Sequence, residues 1–231
     1  MRYFGGKQRI AKYIIEVLKE YRKDNQIIVE PFVGGCNIIS KLCYGVKHCY
    51  DINPYLIEMY KAFQNGWIPP KQISEEQYTY IRNNKNEDMA LTGFVGIGCS
   101  YSGKWFGGYA RDKTGRNYCM NAYNSLMKIV DEIKDIHFEC ADYKTLRYSN
   151  ALIYCDPPYQ KTTGYSIAPN FNTEEFWDIM RDWSQNNTVI ISEYEAPDDF
   201  SCIKNIETKL DIRNKNGEKE KRIEKLFIYR Q

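Results

Sequence analysis

Between Gln8 and Arg22, apolar side chains stand at 10, 11, 14, 15, 17 and 18, the spacing of one helix face. Ile27, Ile28 and Val29 then form a short apolar run that stops at Glu30-Pro31 and opens into Gly34-Gly35, which predicts a buried strand feeding a turn. Cys36 to Tyr44 reads as a helix, Val46 to Tyr50 as a second strand ending at Asp51, and Asn53-Pro54 as the start of a helix reaching about Phe63. Strand, glycine turn, helix and strand in that order make a βαβ unit.

The regular alternation lapses between 66 and 119. Ser74-Glu75-Glu76-Gln77 is a capping box for one short helix, and Gly93 to Arg116 is rich in glycine, aromatic and basic residues. Beyond it the pattern predicts a helix over Asn121–Lys134, a strand Ile136–Cys140 leading to Asp142, a strand Ala151–Cys155 leading to Asp156, a helix from Asn172 to about Gln185, and a strand Val189–Glu193. Glu207–Asp211 and Arg222–Tyr229, around Asn216-Gly217, read as a hairpin with a long charged loop. The expected fold is α/β: a mostly parallel, Rossmann-like sheet closed by a C-terminal antiparallel hairpin. Residues 1–65 and 120–231 would form the main domain, and 66–119 a small inserted subdomain.

Composition changes this picture little. The 231 residues, 43% hydrophobic and 27% charged, suit a folded chain able to bury a core without disulfides or a structural metal. No stretch is apolar enough for a membrane span, and the start lacks the apolar run of a secretory signal. The eight cysteines show no CxxC pair, and several sit in apolar runs, as at Cys140 and Cys155, so reduced, buried thiols and a cytoplasmic setting are expected. The net charge of +2 conceals asymmetry. Residues 1–25 hold seven basic and three acidic side chains, 100–120 four and one, and 170–200 one and eight. Patches of this kind fit a nucleic-acid footprint, although they also occur on proteins that bind nothing charged. The 20 tyrosines are core or stacking surface, and composition does not choose.

Chemistry gathers at the strand ends, where ligands of such sheets bind. The glycine turn lets a ligand approach the backbone. Asp51 suits ribose hydroxyls, and Asp142 could accept from an adenine amino group. Asp156-Pro157-Pro158-Tyr159 is the most specific feature. Two consecutive prolines fix the backbone and remove its amide hydrogens. The Asp156 carboxylate and the Pro157 carbonyl can then accept both hydrogens of a planar amino group, freeing its lone pair for in-line attack on a methyl group. The Tyr159 ring offers a face on which a base stacks.

With Tyr3-Phe4-Gly5-Gly6-Lys7, Glu30 to Gly35, Tyr50 to Asn53, Asp156 to Tyr159 and Ser192 to Pro197 in this order, the chain resembles the Dam-like family of S-adenosylmethionine-dependent DNA N6-adenine methyltransferases. The resemblance implies a bacterial or phage source, a methyl donor and no metal. It places Tyr3, Lys7, Glu30, Asp51 and Asp156 against the cofactor, Asp142 on its adenine, and Phe32, Gly34 and Gly35 beside its methionine moiety. It makes Asp156, Pro157, Pro158 and Tyr159 catalytic, acting on a flipped adenine without a covalent intermediate. The insertion, where Tyr101, Lys104, Trp105, Phe106, Tyr109, Arg111, Lys113, Arg116 and Tyr118 interleave aromatic and basic groups, would contact double-stranded DNA. Part of it must equally serve as a small aromatic core. Gln160–Phe171 is the candidate lid. A monomer is expected, with a cognate restriction endonuclease in the same host as a further partner. One position departs from the family's Phe-x-Gly-x-Gly turn: Cys36 stands where the last glycine belongs, which a negative φ would tolerate. A methyltransferase for RNA or protein amides, or a silent DNA-binding homologue, remain alternative readings at this point.

Overall fold

A computed structural model describes residues 1–159, 171–213 and 219–230; within the C-terminal hairpin, side chains of 208–213 and 219–222 are outside the description. The candidate lid, apart from Phe171, and the expected hairpin loop lie outside the described residues. Helix α1 (Ala11–Tyr21) precedes β1 (Ile27–Glu30) and β2 (Lys47–Asp51). Then come α2 (Pro54–Gln64), α3 (Glu75–Asn83), α4 (Met89–Gly98), α5 (Tyr118–Met127), β3 (Ile136–Cys140), β4 (Ala151–Cys155), α6 (Thr173–Ser184), β5 (Thr188–Glu193), β6 (Phe200–Arg213) and β7 (Lys219–Tyr229).

One seven-stranded sheet has the order β3-β2-β1-β4-β5-β7-β6. The first five strands are parallel and β7 joins antiparallel to both β5 and β6, the arrangement expected from the pattern. Every residue of β4 and β5 is buried, which is why those strands read as continuous apolar runs. Their side chains alternate between two cores. Leu152 and Tyr154 face α1, α2, α4 and α5, whereas Ala151, Ile153 and Cys155 face α6 with its Phe176, Trp177 and Met180. The chain reverses direction across the sheet between β1 and β4, so a crevice opens beyond Glu30 and Cys155.

Caps set several helix starts. The Asn53 side chain accepts from the amides of Tyr55 and Leu56 with Pro54 in the first turn, and the Ser74–Gln77 capping box forms in both directions. Three helical expectations need correction. Residues 36–44 hold only a 3-10 turn at Ile39–Lys41, because the Ile39 amide donates to the Glu30 carboxylate at 3.2 Å instead of to a helical carbonyl. The helix expected over 121–134 starts earlier, at an Asn117 cap, and ends at Met127. Helix α4 was not anticipated, since its glycines read as breakers. The Asp88 carboxylate caps it at the Leu91 amide, and its glycines permit close packing: Gly93 lies so near α2 that a Cβ would come within 2.1 Å of the Tyr55 carbonyl oxygen. The terminal hairpin strands are also longer than their apolar runs suggested.

All eight cysteines are free; five are buried, but Cys43, Cys140 and Cys202 are exposed. Cys140 ends the edge strand β3 on the solvent side, which corrects its reading as a buried thiol. No helix among the described residues is long and apolar enough to cross a membrane.

Gly93→Ala should lower stability by up to about 2 kcal/mol. Overpacking against backbone (about 1–3 kcal/mol) opposes and exceeds the roughly 1 kcal/mol helix-propensity gain. Denaturant melts would read it, and an unchanged or raised midpoint would contradict the α2–α4 contact.

Candidate active site

The crevice holds a cavity of about 400 Å³ whose wall is built from six separate stretches of the sequence. Tyr3 to Lys7 supply one side, Glu30 to Gly35 the floor, Asp51 and Ile52 with Asp142 to Lys144 the far end, and Asp156, Pro158 and Phe171 the mouth beyond β4. Every residue expected to contact a cofactor therefore lines one cavity. Pro157 and Tyr159 do not line it, although they belong to the same loop.

The glycine turn is held from two sides. The Asp51 carboxylate accepts from the Gly34 amide at 3.0 Å through one oxygen and from the Asn53 amide at 3.0 Å through the other. Tyr60, fully buried, donates its hydroxyl to the Gly34 carbonyl at 2.8 Å. Gly34 has φ +43° and faces the Tyr3 ring, which a Cβ would meet at 2.8 Å, so both conformation and space require glycine. Burial pushes the Asp51 carboxyl up to about 6, even though the backbone amides of Asn53, Gly34 and Ile52 pull it back. Glu30 is also buried and sits well above the usual carboxylate range because it is removed from water.

Lys7 is the hub of the opposite end. Its ammonium is 8% exposed, lies 2.8 Å from Asp156 Oδ1 and 3.6 Å from Glu224 Oε1, and stands 4.4 Å from the centroid of the Tyr159 ring. Burial works against this charge, but Asp156 and Glu224 outweigh it and hold the lysine above its ordinary value. Burial raises Asp156, and the Lys7 charge pulls it part of the way back. The Tyr159 hydroxyl donates to Glu224, and Tyr194 packs perpendicular to the Tyr159 ring at 4.8 Å. Glu193, at the end of the strand next to the one that carries Asp156, is pushed up to about 7 by burial, against the pull of the Tyr194 amide. The residues can thus hold a planar, partly cationic ligand between acidic and aromatic walls, with an ion-paired acceptor at the mouth.

The model of the D12 class N6 adenine-specific DNA methyltransferases matches residues 3–94, which covers the Tyr3–Lys7 segment, the glycine turn and Asp51. A DNA adenine methylase of Vibrio cholerae is 28% identical over 183 residues, covering 69% of this chain and 64% of that protein. The retron Ec67 DNA adenine methylase of Escherichia coli is 29% identical over 177 residues, covering 66% and 62%. The DNA adenine methylase of Escherichia coli K12 is 23% identical over 203 residues, covering 76% and 70%. Over residues 3–94 the chain is similar to the D12 class, and the methylases it resembles are less than 30% identical to it. It spans less than two thirds of the length of the Vibrio and retron relatives it matches.

The segment 66–119 is bound to the cavity wall. The Phe4 amide donates to the Gly103 carbonyl at 3.0 Å, and the Lys104 ammonium lies 4.5 Å from the Phe4 ring. The residues expected to meet DNA divide into two groups. Trp105 stacks on Tyr55 at 5.5 Å and packs against Phe106, while the Tyr109 hydroxyl donates to the Ile73 carbonyl at 2.8 Å. These aromatics form the local core. Tyr101, Arg111, Lys113 and Arg116 are exposed, Arg111 paired with Glu75 at 2.6 Å and Arg116 with Asp112 at 3.8 Å.

Glu224 and Glu193 were not singled out from the sequence as site residues. For Glu224 a signal existed: it alternates with Leu226 on the buried face of β7, while Ile223 is turned toward solvent. Cys36 is the other surprise. Its φ is +51°, so the negative φ that would have tolerated a side chain does not occur, and the thiol is buried in this left-handed conformation. Strain of about 1–2 kcal/mol is expected there. Cys36→Gly should therefore be less destabilising than Cys36→Ala, by about 1 kcal/mol, the reverse of the order for a buried cysteine in ordinary backbone. Chemical denaturation of both variants checks this, and the opposite order would remove the strain.

Proposed function

We propose that this protein is a D12-class, site-specific DNA adenine methyltransferase, transferring a methyl group from S-adenosyl-L-methionine to N6 of an adenine flipped out of duplex DNA. The observation that carries the reading is the ion-paired Asp156 carboxylate at the mouth of an acidic and aromatic cavity, on the loop Asp156–Tyr159. The donor set fits the methyl donor. Asp51 and Asp142 suit ribose hydroxyls and the adenine amino group, and Phe32, Ile52 and Phe171 suit the flat purine. Tyr3, Gly34 and Gly35 leave room for the amino-acid end, and the acids favour its positive charges. When bound, S-adenosylmethionine supplies an electrophilic methyl group on its sulfonium.

The chain's own residues do the rest. Lys7 keeps Asp156 ionised in a buried setting, so that the carboxylate can accept a hydrogen of the target amino group. Pro157 and Pro158, without amide hydrogens, leave the loop's carbonyls as acceptors for the second one. Hydrogen bonds from both N–H groups to these acceptors localise the nitrogen lone pair for attack, and the one surplus amino proton then leaves to solvent. Tyr159 provides the stacking surface, held by Glu224 and Tyr194. Exposed Tyr101, Lys104, Arg111, Lys113 and Arg116 are the groups we assign to the duplex, with Trp105 and Tyr109 supporting them from beneath, and 66–119 as the target-recognition segment. Among the described residues no group of three or more His, Cys, Asp or Glu side chains could hold a metal ion.

Two outcomes are expected. Asp156→Ala should cut incorporation of labelled methyl into duplex DNA by about a thousandfold; retained activity in that variant would overturn the assignment, and mapping modified adenines in a random DNA library would give the site. Binding should also depend on pH. With the folded Asp51 carboxyl near 6, ligand hydroxyls must displace its proton in acid. The Kd for S-adenosylhomocysteine should weaken about fourfold between about pH 7.5 and 5.5. Calorimetry reads this directly, and a flat profile would take Asp51 out of the ribose contact.

A further inference from the structure

We propose that Glu224, delivered from the C-terminal hairpin, is a positioning residue for the Asp156–Tyr159 loop: it holds the Tyr159 hydroxyl and shares the Lys7 ammonium, so that Asp156 is neither locked by Lys7 nor left as an unpaired charge. This inference rests on the methyltransferase reading for its meaning in catalysis, but not for its physical test.

The geometry is specific. Glu224 is 5% exposed and sits on the buried face of β7, opposite Ile206 of β6. Its carboxylate accepts the Tyr159 hydroxyl and stands 3.6 Å from Lys7 Nζ, while the same ammonium is 2.8 Å from Asp156. One buried cation therefore serves two carboxylates from different ends of the fold. The other titratable groups facing this cluster are Glu30 of β1, Tyr154 and Cys155 of β4, Glu193 of β5 and Tyr194 beside it; burial raises Tyr154 and Glu193, with the Asp156 and Glu224 charges adding to it. In such a site a second carboxylate opposes ionisation of the first, and a shared ammonium stabilises each less than it would one alone. Glu224 therefore raises the basicity of Asp156 toward the amino group, and through the hydroxyl it fixes the plane in which the Tyr159 ring meets a base.

Glu224→Gln separates the two effects, because the amide oxygen still accepts from Tyr159 while the charge is gone. In the full-length protein, carboxyl carbon NMR, with the Asp156 signal assigned by its loss in Asp156→Asn, should show Asp156 titrating lower in Glu224→Gln by about half a pH unit or more. The acid limb of kcat/KM for duplex DNA should move in the same direction, with kcat reduced about 3- to 10-fold. Glu224→Ala, which leaves the Tyr159 hydroxyl to Asp156 alone, should raise KM for DNA about tenfold. Because Glu224 lies outside the cavity wall, the Kd for S-adenosylhomocysteine should stay within about twofold in both variants, which also reports that they fold. An Asp156 titration that is unmoved or moves upward in Glu224→Gln overturns the proposal, whatever the activity. A wild-type protein that transfers no methyl group to DNA would instead overturn the methyltransferase reading, and the NMR titration would still decide the role of Glu224.

Discussion

An ammonium buried near the N-terminus and matched by carboxylates from the middle and the end of the chain is the constraint on which the site is organised. Taking Lys7 out of water alone would cost several kcal/mol; taking out Asp156 and Glu224 without it would cost as much again. Together they are tolerable, and only in one arrangement: Lys7 next to Asp156 at the end of β4, with Glu224 reaching in from β7. The same contact holds Tyr3 to Lys7 against the glycine turn and the terminal hairpin against the Asp156–Tyr159 loop. Tyr3 to Lys7 are therefore part of the cavity, and the hairpin backs it from behind; neither is an appendage of the sheet.

The glycine turn obeys a related logic. Beyond β1 the chain does not wind directly into an α-helix. Glu30 captures the Ile39 amide, Asp51 captures the Gly34 amide, and Tyr60 captures the Gly34 carbonyl. Three side chains thus replace the hydrogen bonds a helix would have made, and the backbone stays open toward the cavity. The buried Cys36 at positive φ fits within this framework, because neighbouring contacts over-determine the turn.

The aromatic and glycine-rich stretch that interrupts the alternation resolves into two roles. Gly93, Gly96 and Gly98 let α4 lie against Tyr55, Trp105 and Ala122 at distances no side chain would allow. That packing buries Tyr78 and Phe94 and half-buries Trp105 and Tyr109, leaving Tyr101 and the basic groups outside. Interleaved aromatic and basic residues along the chain were sorted by packing into a core and a surface.

Most of the sheet was legible from the sequence, because strands buried on both faces must be apolar, and the caps at Asn53, Ser74 and Asn172 announced their helices. The strand-end acids and Asp156-Pro157-Pro158-Tyr159 were legible for a similar reason: short-range covalent chemistry and the polarity of strand ends are written locally. Helix α4, the 3-10 turn at Ile39–Lys41 and the place of Glu224 were not. In each case the deciding partner lies outside the element itself, from nine residues away to more than two hundred. Tyr55 backs Gly93, Glu30 diverts Ile39, and Lys7 receives Glu224 across more than two hundred residues. Local sequence determined which segments could be strands, turns and acceptors of hydrogen bonds. Only the tertiary structure decided which buried charge answers which, because that energy exists only once water has been excluded from between them.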